Sequence, residues 1–322
     1  MKFDLNNILV GVLAGAATAI LCLGMASGSG LSVLLYLLSA VPIMTAGLGW
    51  GLGASVIGVA VAALSVILIA NQQTALFVVL TTALPAALSA HWLTLSRPAD
   101  EIGGKQGSLA WFPLSDVMLR LCIIIGGAFI VIGIMVNYSQ ELMQPVLDEL
   151  VARLQENNPE FSFTPEARTQ FDGAMLGLMP FFQPFLWVLV LIANLYIALR
   201  VTFASGQLKR PREDFPQGMR MPKIALIPFG IAILGTMMSG NIGLAATALA
   251  GALSGGFMLS GFAFFHDYSR AKPWRGLAMA LVYISTAITM LPPFLMFFLG
   301  LFSVARNIPT SSPSNPPKNS NT

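Results

Sequence analysis

The sequence predicts an all-α protein, a polytopic bundle of about nine transmembrane helices, and three observations support this class. Hydrophobic residues make up 56% of the 322 residues and charged residues only 10%, whereas a soluble domain carries roughly a quarter charged residues. The mean hydropathy is +0.76. All 14 acidic side chains lie outside the long apolar runs. Because backbone groups in lipid need internal partners, and the alternation of a membrane barrel is absent, we predict that these runs are helices.

An apolar helix needs about 20 residues to cross the ~30 Å hydrocarbon layer. The predicted spans lie near 8–25, 31–49, 52–70, 74–95, 117–138, 174–201, 223–239, 242–265 and 276–303. The first run follows the single Lys2 and is closely followed by another run, so we expect an uncleaved helix rather than a signal peptide. The last run contains Pro292 and Pro293, which discourage a straight helix. It either kinks across the membrane or turns back, in which case eight helices span.

Pairs of glycines four residues apart predict places where helices approach closely. These pairs are Gly11/Gly15, Gly47/Gly51, Gly49/Gly53, Gly173/Gly177 and Gly251/Gly255. The glycine-rich stretch 47–53 also predicts a sharp turn between the second and third helices. It is not a phosphate-binding loop, because no Lys-Ser/Thr follows it.

The basic residues predict an orientation. With the N-terminus in the cytoplasm, the loops that fall inside hold most of the basic side chains of the chain. These are Lys2, Arg97, Lys105, Arg120, Arg200, Lys209, Arg210, Arg212, Arg220, Lys223, Arg270, Lys272 and Arg275. Basic residues beside helix ends keep short loops in the cytoplasm. We therefore expect a multi-pass protein of the bacterial inner membrane with a cytoplasmic N-terminus, and with its C-terminal end outside if the last run spans.

The bundle is predicted to occupy residues 1–306, with two notable loops and a tail. Residues 139–172 form an acidic external loop whose first part has apolar residues at helical spacing. This spacing predicts a helix that lies on the outer surface or caps the bundle, or else a solvated linker helix. Thr164-Pro165 is a typical start for the helix that follows. Residues 202–222 form a basic cytoplasmic loop. Residues 307–322 are rich in Pro, Ser and Asn, which predicts a disordered tail.

Two groups of polar residues are candidates for function. Amide and aromatic side chains within the bundle could line a pocket for a neutral or lipophilic ligand: Asn137, Gln183, Asn194, Tyr196 and Asn241. The same side chains could instead form interhelical hydrogen bonds, worth about 0.6 kcal/mol each. Basic side chains of the inner loops could bind anionic lipid or a partner, or serve orientation alone: Lys209, Arg210, Arg212, Arg270, Lys272 and Arg275.

The inner segments 200–223 and 266–275 are predicted to lie close together. The seventh and eighth runs are joined by the short external turn Ser239-Gly240-Asn241, so the two helices form a hairpin. The ends of the two helices away from this turn therefore lie together on the cytoplasmic side. Together the segments form a basic surface that suits anionic lipid.

Chemical catalysis has little support in the sequence. The two cysteines, Cys22 and Cys122, fall inside apolar runs, and with two histidines they do not give the ligand sets typical of metal sites. His91 beside Trp92 fits a membrane-interface position, and His266-Asp267 is a single adjacent pair. We therefore expect no enzymatic activity, no cofactor and no metal. The basic charge is explained by helix flanks, so no nucleic-acid partner is expected, and membrane lipid is the expected partner.

Short motifs resemble the YybS-like family of uncharacterised bacterial polytopic integral membrane proteins. They are Pro42-Ile43 before the glycine-rich turn, Asn194-Leu195-Tyr196 with Arg200, and Gly261-Phe262-Ala263 leading to His266 and the basic loop before Leu277-Ala278. The resemblance covers most of the chain and implies an inner-membrane protein without an assigned reaction. The first five helices, rich in small residues and with a proline in the second, also look like substrate-binding components of energy-coupling-factor transporters. The additional helices and the acidic loop depart from that compact pattern.

The sequence thus favours a non-enzymatic, transport-related role, in which the protein binds or passes a neutral or lipophilic small molecule, with or without a separate energising partner. The alternative is a membrane scaffold that recruits partners or anionic lipid through its basic cytoplasmic loops. The identity of any small molecule or protein partner is left open.

Overall fold

A computed structural model describes residues 4–158, 162–289 and 291–306. The helices are α1 (Leu5–Leu23), α2 (Gly30–Leu37), α3 (Val41–Trp50), α4 (Leu52–Ile69), α5 (Gln72–Val78), α6 (Leu84–Thr94), α7 (Leu114–Met135), α8 (Gln140–Asn157), α9 (Pro165–Ala204), α10 (Phe215–Gly218), α11 (Leu226–Gly235), α12 (Gly240–Tyr268), α13 (Arg275–Ile288) and α14 (Leu291–Ala305). Strands β1 (Ser96–Pro98) and β2 (Leu109–Trp111) form one antiparallel hairpin between α6 and α7. The predicted tail 307–322 lies outside the described residues.

The fold confirms the all-α class. In the described part of the chain, seven helical segments are long and apolar enough to cross a membrane, with α2–α3 and α5–α6 each counted as one segment. The number rises to eight if α13 and α14 together form one bent span. Cys22 and Cys122 are buried and free, as expected for small apolar residues of the core.

The bundle has two chemically different ends. The end called basic here carries the β-hairpin, residues 205–222 and the C-terminal end of α12. Arg210 donates to Phe112 O beside the hairpin at 2.8 Å, and Arg220 pairs with Asp267 of α12 at 2.7 Å. The other end, called acidic, carries α8, which follows the far end of α7. The acidic segment 139–172 and the basic loop 202–222 therefore lie at opposite ends of the bundle.

The acidic segment folds mostly as helix. Ala167 donates its backbone N–H to Thr164 Oγ1 at 3.2 Å, which confirms the predicted start of α9. Met143, Leu147 and Val151, four residues apart on α8, are buried. Since this apolar stripe is buried rather than solvated, α8 caps the acidic end of the bundle.

Two of the membrane segments are interrupted helices. Between α2 and α3 the chain makes a turn, and Pro42 in the first turn of α3 cannot donate a backbone hydrogen bond. Carbonyls left over at this break are bonded by side chains of other helices: Asn194 Nδ2 donates to Leu37 O at 2.7 Å, and Thr18 Oγ1 donates to Ser39 O at 2.9 Å. Such partners are what permits a broken helix within a bilayer.

Glycines allow close packing at some of the predicted positions. An ideal Cβ at Gly11 would lie 2.6 Å from Ala54 O on α4, and one at Gly251 would clash with Phe181 O on α9. At Gly173 and Gly177 an added Cβ meets no heavy atom within 4 Å, so the prediction of close approach is wrong there. Gly51 has φ +89°, which forms the expected sharp turn between α3 and α4.

The seventh predicted run forms a helix shorter than expected, Lys223–Gly235. The helix and the residues before it contact α12 at two levels. Met221 donates its backbone N–H to Ser260 Oγ at 2.7 Å. An added Cβ at Gly235 would lie 2.7 Å from Ala246 Cβ. The segment thus runs antiparallel to α12. Ser260 lies about 30 Å along α12 from its first residue at 1.5 Å per residue, so the chain from Met221 to the turn before α12 covers about the thickness of the hydrocarbon layer.

The last predicted run is a broken helix pair, which is compatible with a bent span or with a segment that turns back. Helices α13 and α14 are bent by 120° relative to each other, and each, at about 21–23 Å, is too short to span alone. Ser303 and Val304 near the end of α14 line one cavity with Arg220 and Lys223 of the basic end. The C-terminal end of α14 therefore lies at the basic end, which favours the predicted alternative of a run that turns back.

Candidate functional site

A cavity of about 260 Å³ lies at the acidic end, where five helices meet. Its lining comes from α5, the end of α7, the start of α8, the middle of α9 and the start of α12: Phe77, Phe129, Ile130, Ile132, Gly133, Ile134, Val136, Asn137, Tyr138, Leu142, Met143, Pro180, Gln183, Asn241, Leu244, Ala245 and Ala248. The residues on α12 extend over two turns, so the cavity reaches about 10 Å along that helix. The wall is mainly apolar.

Three of the five predicted pocket residues come together here. Asn137 ends α7 with φ +49°, a left-handed conformation that asparagine tolerates. Asn241 lies in the first turn of α12 and Gln183 in the middle of α9, and all three side chains line the cavity. Within the described residues their amides form no hydrogen bond, so the interhelical-bond interpretation fails for these three. Their donors and acceptors are free for a ligand.

A proline and a tyrosine fix one wall of the cavity. Pro180 has no backbone N–H, so Leu176 O on the preceding turn of α9 loses its normal helical partner. Tyr138 fills this place by donating its hydroxyl to Leu176 O at 3.0 Å. A tyrosine hydroxyl is protonated at neutral pH, so Tyr138 serves as a hydrogen-bond donor here. The end of α7 is thereby tied to α9 beside the lining amides.

Aromatic rings form another wall and connect the cavity to the second interrupted helix. The ring centroids of Phe77 and Phe129 lie 6.4 Å apart, and Phe77 lies 6.4 Å from Trp187. Trp187 Nε1 donates to Thr81 O at 2.6 Å, and Thr81 belongs to the π-helical stretch Val79–Ala83 that joins α5 to α6. Such π segments are frequent at functional sites. A shift of the Phe77 ring would therefore move Trp187 and its hydrogen bond to the backbone of the π-helical stretch.

Ion pairs hold α8 beside the cavity, to which it contributes Leu142 and Met143. Arg168 on α9 contacts Asp148 of α8 at 2.5 Å and Asp172 of its own helix at 2.8 Å. The hydrogen bond from Arg168 lowers the pKa of Asp148. The contact between Arg168 and Asp148 joins α8 to α9 at neutral pH, and Asp172 orients the arginine from its own helix.

Two predicted pocket residues lie elsewhere. Asn194 is 1% exposed, and its Nδ2 donates to Leu37 O and Val190 O, each at 2.7 Å. The interhelical-bond interpretation therefore holds for Asn194. Tyr196 lies near the basic end, where its hydroxyl accepts hydrogen bonds from Arg200 at 2.8 and 3.1 Å. Neither residue lines the cavity at the acidic end.

At the basic end, the predicted lipid- or partner-binding residues differ in availability. Arg210 is buried, donating to Leu93 O at 3.2 Å and Phe112 O at 2.8 Å and pairing with Glu213 at 2.5 Å. It holds the loop against the bundle and is not presented to a partner, which corrects its assignment as a surface ligand. Of the others, Lys209, Arg212 and Lys272 are exposed and Arg275 is half-buried.

The segments 200–223 and 266–275 lie together, as predicted. Arg270 forms a bidentate ion pair with Asp214, and Arg220 pairs with Asp267. His266 instead contacts the hydroxyl of Tyr283 at 2.6 Å, so the adjacent His266-Asp267 pair is divided between separate partners. Among the described residues no cluster of three His, Cys, Asp or Glu side chains is placed to hold a metal ion.

Tyr138, Phe77 and Phe129 line the cavity but were not among the predicted pocket residues. Phe77 and Phe129 belong to long apolar runs, in which nothing marks one ring from another. The signal for Tyr138 was present in Pro180, because a proline inside a membrane helix releases a carbonyl that needs a donor. No family model, curated protein or solved structure matches this chain.

Proposed function

We propose that this polytopic membrane protein is non-enzymatic and transport-related, and that it binds a neutral or lipophilic small molecule in the cavity at the acidic end. The observation that carries the proposal is the convergence of Asn137, Gln183 and Asn241 from three helices on one mainly apolar cavity. Small-molecule sites typically combine apolar walls with a few placed polar groups.

The lining defines the chemistry of the ligand. Each side-chain amide offers donors and an acceptor without charge, so the site suits hydroxyl, carbonyl or amide groups. The rings of Phe77 and Phe129 suit an apolar or aromatic portion. With about 260 Å³, the cavity lies just below the ~300–1,000 Å³ of drug-sized sites and suits a small ligand.

The proposal includes the orientation of the protein in a bacterial inner membrane. The excess of Lys and Arg at the basic end supports a cytoplasmic position for that end and for the N-terminus in a bacterial inner membrane. The cavity then opens toward the outer side. Membership of the YybS-like family, expected from the short motifs, is compatible with this role. The scaffold alternative has less support, because Arg210 and Arg270 of its proposed surface are engaged with Glu213 and Asp214.

Native mass spectrometry of the protein in lipid nanodiscs tests the proposal. We expect a small neutral molecule retained by the wild type and lost from Gln183→Leu and from Ala245→Phe, which places a ring in the cavity. The matched control is Gln170→Leu, an exposed glutamine on the same helix α9 outside the cavity. Uptake of the identified molecule into proteoliposomes then tests transport. Equal retention by Gln183→Leu and Gln170→Leu, or no retained molecule, would rule the site out.

A further inference from the structure

A second cavity, of about 560 Å³, lies at the basic end where α9 leads into the loop before α10. Its lining mixes apolar and charged side chains: Leu93, Leu114, Tyr196, Leu199, Arg200, Phe203, Leu208, Arg210, Pro211, Arg212, Glu213, Asp214, Phe215 and Pro216. It is more than twice the volume of the cavity at the acidic end and has a different character.

The charges around this cavity leave a positive excess. Glu213 is paired with the buried Arg210 at 2.5 Å, and Asp214 is paired with Arg270. Within the part of the chain that the structure describes, Arg200 donates only to the neutral hydroxyl of Tyr196 and Arg212 has no ion pair. Both side chains are exposed. Two guanidinium groups therefore face the cavity without a neutralising carboxylate.

The cavity lies beside an exposed apolar surface of the kind that contacts lipid. Phe203, which lines it, is 49% exposed, and the neighbouring Val201 is 47% exposed. Both residues lie in the last turns of α9, where an apolar helix surface meets the basic end. Tyr196 packs edge-on against Phe215, with ring centroids 4.9 Å apart, as expected for an amphipathic ring at a membrane interface.

We propose that this cavity binds the phosphate headgroup of an anionic phospholipid. Arg200 and Arg212 supply planar, multidentate donors that match phosphate oxygens, and the exposed ring of Phe203 contacts an acyl chain. A lipid fits better than a free anion, because the charged groups and the exposed apolar surface adjoin. The site is independent of the cavity at the acidic end, and it assigns Tyr196 and Arg200 a role in the membrane interface.

The test is retention of added phosphatidylglycerol against phosphatidylcholine, measured by native mass spectrometry of the full chain in detergent. A basic residue near a lipid surface contributes about 1 kcal/mol, which corresponds to about a fivefold change in affinity. We expect about fivefold weaker phosphatidylglycerol binding for Arg212→Gln and about 25-fold for Arg200→Gln combined with Arg212→Gln. Lys209→Gln, an equal loss of charge in the same loop but outside the cavity, should change binding less than twofold.

Three results would overturn the site. An equal loss in Lys209→Gln would mean diffuse attraction to surface charge. Equal binding of phosphatidylcholine would remove the requirement for net negative charge. Displacement of the lipid by millimolar inorganic phosphate would identify a site for a soluble anion. Arg212→Gln alone removes an exposed side chain without an ion pair, so it separates lost binding from lost folding if the double variant is unstable.

Discussion

Asn194→Leu and Gln183→Leu should affect different properties of the protein, although both replace an amide on α9 within the apolar bundle. Asn194 Nδ2 donates to Leu37 O at the break between α2 and α3, whereas Gln183 forms no hydrogen bond within the described residues and lines the cavity. We therefore expect Asn194→Leu to destabilise the fold and Gln183→Leu to change ligand binding alone.

The magnitude follows from the groups left behind. Without Asn194, the partly buried carbonyl of Leu37 has no donor, and a fully buried carbonyl in that state costs roughly 1–3 kcal/mol. Val190 O keeps its backbone hydrogen bond within α9, so the loss of its second donor, Asn194 Nδ2, adds little. Hydrogen bonds between membrane helices average about 0.6 kcal/mol, which lowers the expected loss to about 1–2 kcal/mol, or roughly 5–30-fold in the unfolding equilibrium. An exposed, unbonded Gln183 should change stability by less than about 0.5 kcal/mol.

Reversible unfolding in mixed micelles at increasing sodium dodecyl sulfate measures both variants against the wild type. The same preparations, examined for retained small molecule, give the complementary readout. If Asn194→Leu is as stable as the wild type, or if Gln183→Leu is the less stable variant, the hydrogen bond to Leu37 O does not stabilise the interrupted helix and the division of roles is refuted.

Three further predictions test packing, electrostatics and topology. Gly251→Ala should destabilise the bundle by about 1–3 kcal/mol, since an added Cβ clashes with a carbonyl of α9, whereas Gly177→Ala should be neutral in the same unfolding assay. Asp148 has a pKa lowered below 3.8 by its arginine partner on α9, so its contribution to the docking of α8 is present above pH 3.8 and is lost as pH falls through the lower native value. The protection of α8 amides from hydrogen exchange, corrected for the intrinsic pH dependence of exchange, should therefore fall on acidification in the wild type and change less in Asp148→Asn. Arg306→Cys should react with a membrane-impermeant thiol reagent from the same side as Arg212→Cys, and reaction from opposite sides would contradict the turned-back last run.

The fold class and most helix positions could be predicted from the sequence, because burial in lipid imposes a length and a composition on each span. The break near Pro42 and the turn at Gly51 also carry local signals, one in a missing donor and the other in a backbone conformation that glycine favours. The direction of the last run could not be predicted in the same way. Pro292 and Pro293 are compatible with either a kink or a return, and only tertiary contacts at the end of α14 distinguish the two.

The candidate site was accessible to sequence reasoning only in part, because a polar residue type does not reveal which partner it meets. Asn194 and Gln183 are both amides on α9, separated by three turns of one helix. Asn194 donates its side-chain amide to Leu37 O, a carbonyl without a backbone partner at the helix break. Gln183 instead lines the cavity. The same division applies to Arg210 and Arg212, two residues apart, of which one is buried against carbonyls and the other is exposed.

The two interrupted segments suggest how the cavity is coupled to the bundle. Trp187 packs against Tyr36 of α2 with ring centroids 5.5 Å apart, and it also donates to Thr81 O in the π-helical stretch. One side chain of α9 thus contacts both segments, two turns of helix from Asn194 and one turn from Gln183. A ligand that displaces Phe77 would press on Trp187 and on both irregular backbones at once. In membrane transporters, discontinuous helices lie at the places that move and bind. Under the proposed transport role, the conformational response to a ligand is expected at α2–α3 and α5–α6, and the tight contact between Gly251 and α9 should hold the remainder of the bundle fixed.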